Sequence, residues 1–186
     1  TPGDQYFFSD TKISMQAADA GVLLVDAVDG VKVQTEQAWD FASELNLPCI
    51  IFINKLDRER ADFSRTLQDI SDCLDLKPIT LHLPIGKEED YKGVVDLDSM
   101  KSYTYDEDGK VTRGDIPSDM QDQVDSEKEK LIEDVAEADD ELIERYLEGE
   151  TLSDEDIKTA LKKGVVSGEF VPVLCGAAVK NIGIDI

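Results

Sequence analysis

The 186 residues carry 42 acidic side chains against 19 basic ones and a single histidine, a formal net charge of −23. This balance argues against direct nucleic-acid binding, where Lys and Arg must meet the phosphates, and favours a basic protein partner or simply high solubility. No apolar run approaches the ~20 residues of a membrane span and none reads as a signal peptide. The three widely spaced cysteines, Cys49, Cys73 and Cys175, suit neither a disulfide framework nor a zinc site. Buried free thiols in a reducing, cytoplasmic setting are expected.

The chain opens on Thr1-Pro2-Gly3 rather than on Met, as if cut from something longer. Residues 21–28, Gly-Val-Leu-Leu-Val-Asp-Ala-Val, predict a buried parallel strand. A helix over about 35–45 follows, with Ala38, Phe41, Ala42 and Leu45 at helical spacing and Thr35 as its N-cap. Pro48 closes that loop, and 49–53 predicts a second buried strand. A helix over about 62–74 then carries Phe63, Leu67, Ile70 and Leu74 on one face. Strand, helix, strand, helix in this rhythm predicts a right-handed α/β crossover fold.

From about Lys77 the texture changes. Short strands are expected at 79–85 and 94–95, and a hairpin joins 103–105 to 110–112 through the acidic turn Asp106-Glu107-Asp108-Gly109. That turn lacks the spaced ligands and terminal Glu of a calcium loop, so turn chemistry is its expected role. Residues 119–150 read as a long acidic helix, fourteen acids against Lys128, Lys130 and Arg145. Val124, Leu131, Val135, Ala138, Leu142 and Tyr146 form its buried stripe. Ser153 and Asp156 give a capping signal for a further helix to about Lys163, and 170–174 predicts a third buried strand before the loop Cys175-Gly176-Ala177-Ala178. The expected organisation is an α/β core in two pieces, 1–76 and 169–186, interrupted by an α+β insert over 77–168.

Asn54-Lys55-Leu56-Asp57 falls at the carboxyl end of a predicted parallel strand, where open α/β sheets bind ligands. This pattern suits guanine. The Asp57 carboxylate has acceptors for the ring N1–H and the 2-amino group, whereas adenine offers an acceptor and a C–H there. A site built on such bonds rejects the wrong base by ~10⁴–10⁵. The Lys55 stem suits the base face, with its ammonium left polar. Four residues alone are a weak signal, since a helix-capping turn reads the same way.

The neighbours make a resemblance visible. Val25-Asp26-Ala27-Val28-Asp29-Gly30-Val31, Gln34-Thr35, Phe52-Ile53-Asn54-Lys55-Leu56-Asp57-Arg58 and Val171-Pro172-Val173-Leu174-Cys175-Gly176 resemble the G domain of bacterial elongation factor G. Leu83-Pro84-Ile85-Gly86, Gly93-Val94-Val95-Asp96-Leu97 and Asp139-Asp140-Glu141-Leu142 extend the likeness through the insert. Tetracycline-resistance ribosomal protection proteins and class II release factors share parts of this pattern but fit the insert less well. The fold so implied is a partial P-loop GTPase sheet interrupted by an α+β insert.

The resemblance also implies roles. Asn54, Lys55, Leu56 and Asp57, with Gly176, Ala177 and Ala178, would bind the base of GTP or GDP, the Ala178 N–H meeting the 6-oxo group. Ala177 replaces the family's usual Ser. Thr1-Pro2-Gly3 matches the start of switch II at the γ-phosphate. Asp4 stands where the family has a water-orienting His, which marks a divergent paralogue, and Gln5 is the candidate to orient water in its place. His82, the only histidine, is expected to be structural.

No G-x-x-x-x-G-K-[ST] segment occurs in the sequence, so the chain alone is expected to bind nucleotide and its Mg²⁺ feebly. The implied activity of the intact protein is ribosome-associated GTP hydrolysis in translation. The competing reading is a slowly hydrolysing, GTP-gated binding module. The acidic segment 119–150 reads either as a solvated face or as a contact for the ribosomal stalk protein. The strand at 21–28 is expected to present a bare apolar edge able to pair with a second copy.

Overall fold

The computed structural model describes residues 3–106 and 109–186. Its centre is a parallel four-stranded sheet in the order β1-β2-β8-β3 (Gly21–Asp26, Cys49–Asn54, Val171–Cys175 and Pro78–Thr80). Strand β2 takes a middle position because its run of isoleucines is covered on both sides. Ile51 and Ile53 are fully buried, and Phe52 nearly so. Strand β1 lies at an edge and alternates: Val25 points into the core, while Val22 and Leu24 face solvent. It ends at Asp26 rather than Val28, because Asp26 turns the chain by accepting the N–H groups of Val28 and Asp29.

Two helices, α2 (Val33–Glu44) and α3 (Phe63–Leu74), follow β1 and β2. Trp39 of α2 reaches α3 and donates its indole N–H to the Leu74 carbonyl at 3.0 Å. Asp62 caps α3 by accepting the Arg65 N–H at 2.9 Å. Helix α2 starts two residues before the expected Thr35. Thr35 sits in the first turn, and its hydroxyl accepts the Lys32 N–H at 3.3 Å. A helix that sequence patterning does not show, α1 (Phe8–Gln16), precedes β1 and packs on α2 through the Lys12 ammonium, 4.6 Å from the Phe41 ring centre.

Residues 79–85 do not form one strand. Leu81 hands the chain from the parallel sheet to a second one, donating to the Val173 carbonyl and accepting from the Leu97 N–H. The second sheet is antiparallel, in the order β4-β5-β6-β7 (His82–Ile85, Gly93–Asp96, Lys101–Tyr105, Val111–Gly114). The expected hairpin is β6–β7, with Tyr105 opposite Val111. Glu107 and Asp108 of its acidic turn lie outside the described residues.

Three helices cover this sheet: α4 (Gln121–Ala136), α5 (Asp140–Leu147) and α6 (Asp154–Ser167). The single acidic helix expected over 119–150 is therefore two. Helix α4 stops at Ala136, and Asp139 leaves helical geometry (φ −135°) to cap α5, accepting the N–H groups of Glu141 and Leu142. The apolar stripe holds across the break. Val124, Leu131, Val135 and Leu142 are buried against Leu83, Val95 and Phe170.

All three cysteines are free, but only Cys49 and Cys175 are buried. Cys73 is exposed, since it falls on the outer face of α3. Among the described residues no helix is long and apolar enough to cross a membrane.

Candidate functional site

Register places the ends of three strands side by side. Asp26 lies opposite Asn54, and Ile53 opposite Cys175, so the loops after β1, β2 and β8 leave the same carboxyl edge of the sheet. Their connections are specific. The Asn54 side-chain oxygen accepts two backbone N–H groups, from Lys55 at 2.8 Å and from Ala178 across the gap at 3.0 Å. Leu56 is buried and anchors its loop, and its N–H reaches the Gly176 carbonyl at 3.3 Å. Asn54, Lys55, Leu56 and Asp57 are thereby brought together with Gly176, Ala177 and Ala178. The Ala178 N–H, assigned by resemblance to a base carbonyl, is donated here to Asn54.

The loop after β8 owes its shape to close approach. A side chain at Gly176 would place its Cβ 2.4 Å from the Ile182 carbonyl oxygen and 2.6 Å from the Phe52 ring. Only glycine fits. Ala177 and Ile182 exchange both backbone hydrogen bonds, closing a tight loop around the short turn Ala178–Lys180. Ala177 is almost fully buried, in a space that suits its methyl group.

Each charged residue of the Asn54–Asp57 segment faces an opposite charge from another loop. The Lys55 ammonium pairs with Asp26 at the end of β1. Burial pulls the Asp26 carboxyl upward. Lys55 and the N–H groups of Val28 and Asp29 together outweigh it, holding the group below the usual carboxylate range. The Asp57 side chain is only 9% exposed, and Lys180 lies 3.6 Å from its Oδ2. A nearly buried carboxylate, with two acceptor oxygens side by side, is suited to accept paired N–H donors from a planar base.

Two of these partners, Asp26 and Lys180, have no role that the sequence alone assigns, and neither does Arg65. The Arg65 guanidinium donates to the carbonyls of Ala27 (3.3 Å) and Val28 (2.6 Å). Thr66 and the Asp62 N–H also bond to the Ala27 carbonyl, so the start of α3 fixes the loop after β1. Asp26 had a signal, since it sits within a segment that carries the resemblance. Arg65 had none, because its contacts lie 37 and 38 residues away in sequence.

Gly3, Asp4 and Gln5 are not joined to this cluster. Among the described residues no hydrogen bond or ion pair links them to the loops after β2 and β8. All three are exposed. Asp4 caps a short turn over Gln5–Phe7, its Oδ1 accepting the Tyr6 N–H at 2.9 Å. Thr1 and Pro2 lie outside the described residues. His82 is buried at the junction of the two sheets, where its carbonyl accepts the Cys175 thiol at 3.7 Å. Among the described residues no group of three or more His, Cys, Asp and Glu is placed to hold a metal ion.

A solved structure from Thermus thermophilus superposes on the chain with a TM-score of 0.91 at 30% identity, covering 99% of this chain. The chain spans 27% of that protein's length. Residues 1–186 match the family model described as the elongation factor Tu GTP binding domain. That match covers the whole chain, including the loops gathered at the carboxyl edge of the parallel sheet: the chain belongs to the family of elongation factor Tu GTP-binding domains.

Proposed function

We propose that this chain supplies the base-reading half of the nucleotide site in an elongation factor G-like GTPase that works on the ribosome in the cytoplasm. The observation that carries this reading is the convergence of Asn54, Asp57 and Ala178 through the Asn54–Ala178 hydrogen bond and the nearly buried Asp57 carboxylate. Lys55, Leu56, Gly176 and Ala177 complete the pocket for GTP or GDP. The sequence holds no G-x-x-x-x-G-K-[ST] cradle, so the chain by itself binds nucleotide weakly. A magnesium ion accompanying the nucleotide would be held largely by the phosphates.

The test uses base complementarity in the full-length protein. An amide at position 57 offers an N–H to the 2-oxo group of xanthine where the carboxylate accepts from the 2-amino group of guanine. Asp57→Asn is therefore expected to turn a preference for GDP over XDP into the reverse. An unchanged preference in equilibrium binding overturns the proposal.

A second reading is favoured by Asp4, whose Oδ1 is engaged by Tyr6 at the position where the resemblance places a histidine. A carboxylate beside a γ-phosphate opposes charge stabilisation, so hydrolysis is slow and the protein serves as a GTP-gated module. Gln5 is the neighbouring side chain suited to orient water. Asp4→His then raises the single-turnover rate measured with ribosomes, and no change counts against this reading.

A further inference from the structure

The Asn54–Asp57 segment depends on a lysine that packing alone does not hold. The Lys55 side chain is half exposed, and its backbone sits in the left-handed region at φ 67°. Among the described residues its ammonium has one ionic partner, Asp26, the last residue of β1 and the register neighbour of Asn54. Asp26 is itself immobilised. Its side chain is 19% exposed, and its Oδ1 accepts the N–H of Val28 at 2.9 Å and of Asp29 at 3.4 Å, which leaves Oδ2 for Lys55. Arg65 and Thr66 fasten the Ala27 carbonyl directly behind it.

We propose that Asp26 is a positioning residue for guanine recognition: it tethers the Lys55 ammonium to the end of β1, so that the lysine stem lies along the sheet edge as a flat apolar support for the base. This rests on the base-reading role proposed above. The tether joins side chains of two loops that otherwise meet through backbone, where the Ala27 N–H reaches the Asn54 carbonyl at 2.9 Å. It sets where the stem lies before nucleotide arrives, which removes the entropy of ordering a four-carbon chain on binding.

The chemistry of Asp26 allows the tether to be separated from its turn. Asparagine keeps the oxygen that accepts from Val28 and Asp29 and discards the charge that holds Lys55. Alanine loses both. In the full-length protein, Asp26→Asn is expected to leave the thermal midpoint unchanged and to weaken GDP binding by about three- to fivefold, the scale of a partly exposed ion pair. Acetylation of Lys55 by acetic anhydride, followed by peptide mass spectrometry without nucleotide, should be faster in the variant. In a Lys55→Met background, Asp26→Asn should have no further effect on GDP affinity.

Unchanged GDP affinity and unchanged Lys55 acetylation in Asp26→Asn overturn the proposal. So does an equal loss of affinity in the Lys55→Met background, since that marks a purely structural role. If the wild-type protein shows no preference for GDP over ADP, the base-reading role fails and the inference with it. The acetylation rates then still report whether the ion pair exists.

Discussion

The imidazole of His82 is buried where the two sheets meet, and its Nδ1 has no hydrogen-bond partner among the described residues. Burial is the stronger influence and holds the ring below the ordinary imidazole range. Asp96, opposite it in register on β5, pulls it partly back. The unfolded chain therefore takes up a proton first as the solution is acidified. Stability present above about pH 6.5 is lost as the pH falls below that value. Urea midpoints at pH 7 and 5.5 should show this loss, and His82→Gln should flatten the slope between them. An equal slope in both proteins would remove His82 as the cause. At this scale the sequence was informative where chemistry is local. The place of the Asn54–Asp57 segment at the carboxyl end of a strand could be read because four adjacent residues and the apolar run before them define it. The Lys180 partner of Asp57 was hidden, because only the return of β8 beside β2 brings the two loops together.

Elements with a strong cap or stripe were legible. Ser153 and Asp156 exchange hydrogen bonds at the start of α6 as the spacing implied, at 3.1 and 3.2 Å. The central strands were legible from their isoleucine and valine runs. Helix α1 was not, since its one buried residue is Thr11 and its apolar side chains do not gather on one face. The α4–α5 break was missed for a different reason. The apolar spacing continues through Ala138, so periodicity alone does not reveal that Asp139 has turned into a cap. Replacing Asp139 with Ala should cost about 1 kcal/mol in urea unfolding, while Asn there should cost far less. Equal losses for the two variants would mean that its 3.6 Å ion pair with Lys163, and not the cap, is what matters.

Across the whole molecule the excess of acids is the dominant long-range force. Its ion pairs are mostly half exposed, so each adds little, and pairing leaves the net charge of −23 untouched. Self-repulsion weakens as salt shortens the Debye length from about 30 Å at 0.01 M to about 3 Å at 1 M. The thermal midpoint should therefore rise with added sodium chloride, and a falling midpoint would show that attractive pairs outweigh repulsion. The same field governs the edge of β1, where Val22 and Leu24 are exposed. We propose that two copies of the chain pair along this edge at high salt, where their mutual repulsion is screened. A light-scattering mass that stays at one chain at every salt concentration excludes it.

Strand order carries a consequence in time. The outer strand β3 is made before β8, the inner neighbour that separates it from β2. About ninety residues lie between Thr80 and Val171, so a ribosome working at ~5–20 residues per second needs roughly 5–18 seconds to deliver the missing strand. Until then β3 lacks the strand it pairs with in this sheet, and β2 has only β1. Of the four strands of this sheet, the one that fills its interior is made after the other three, and with it comes the loop proposed to complete the base site.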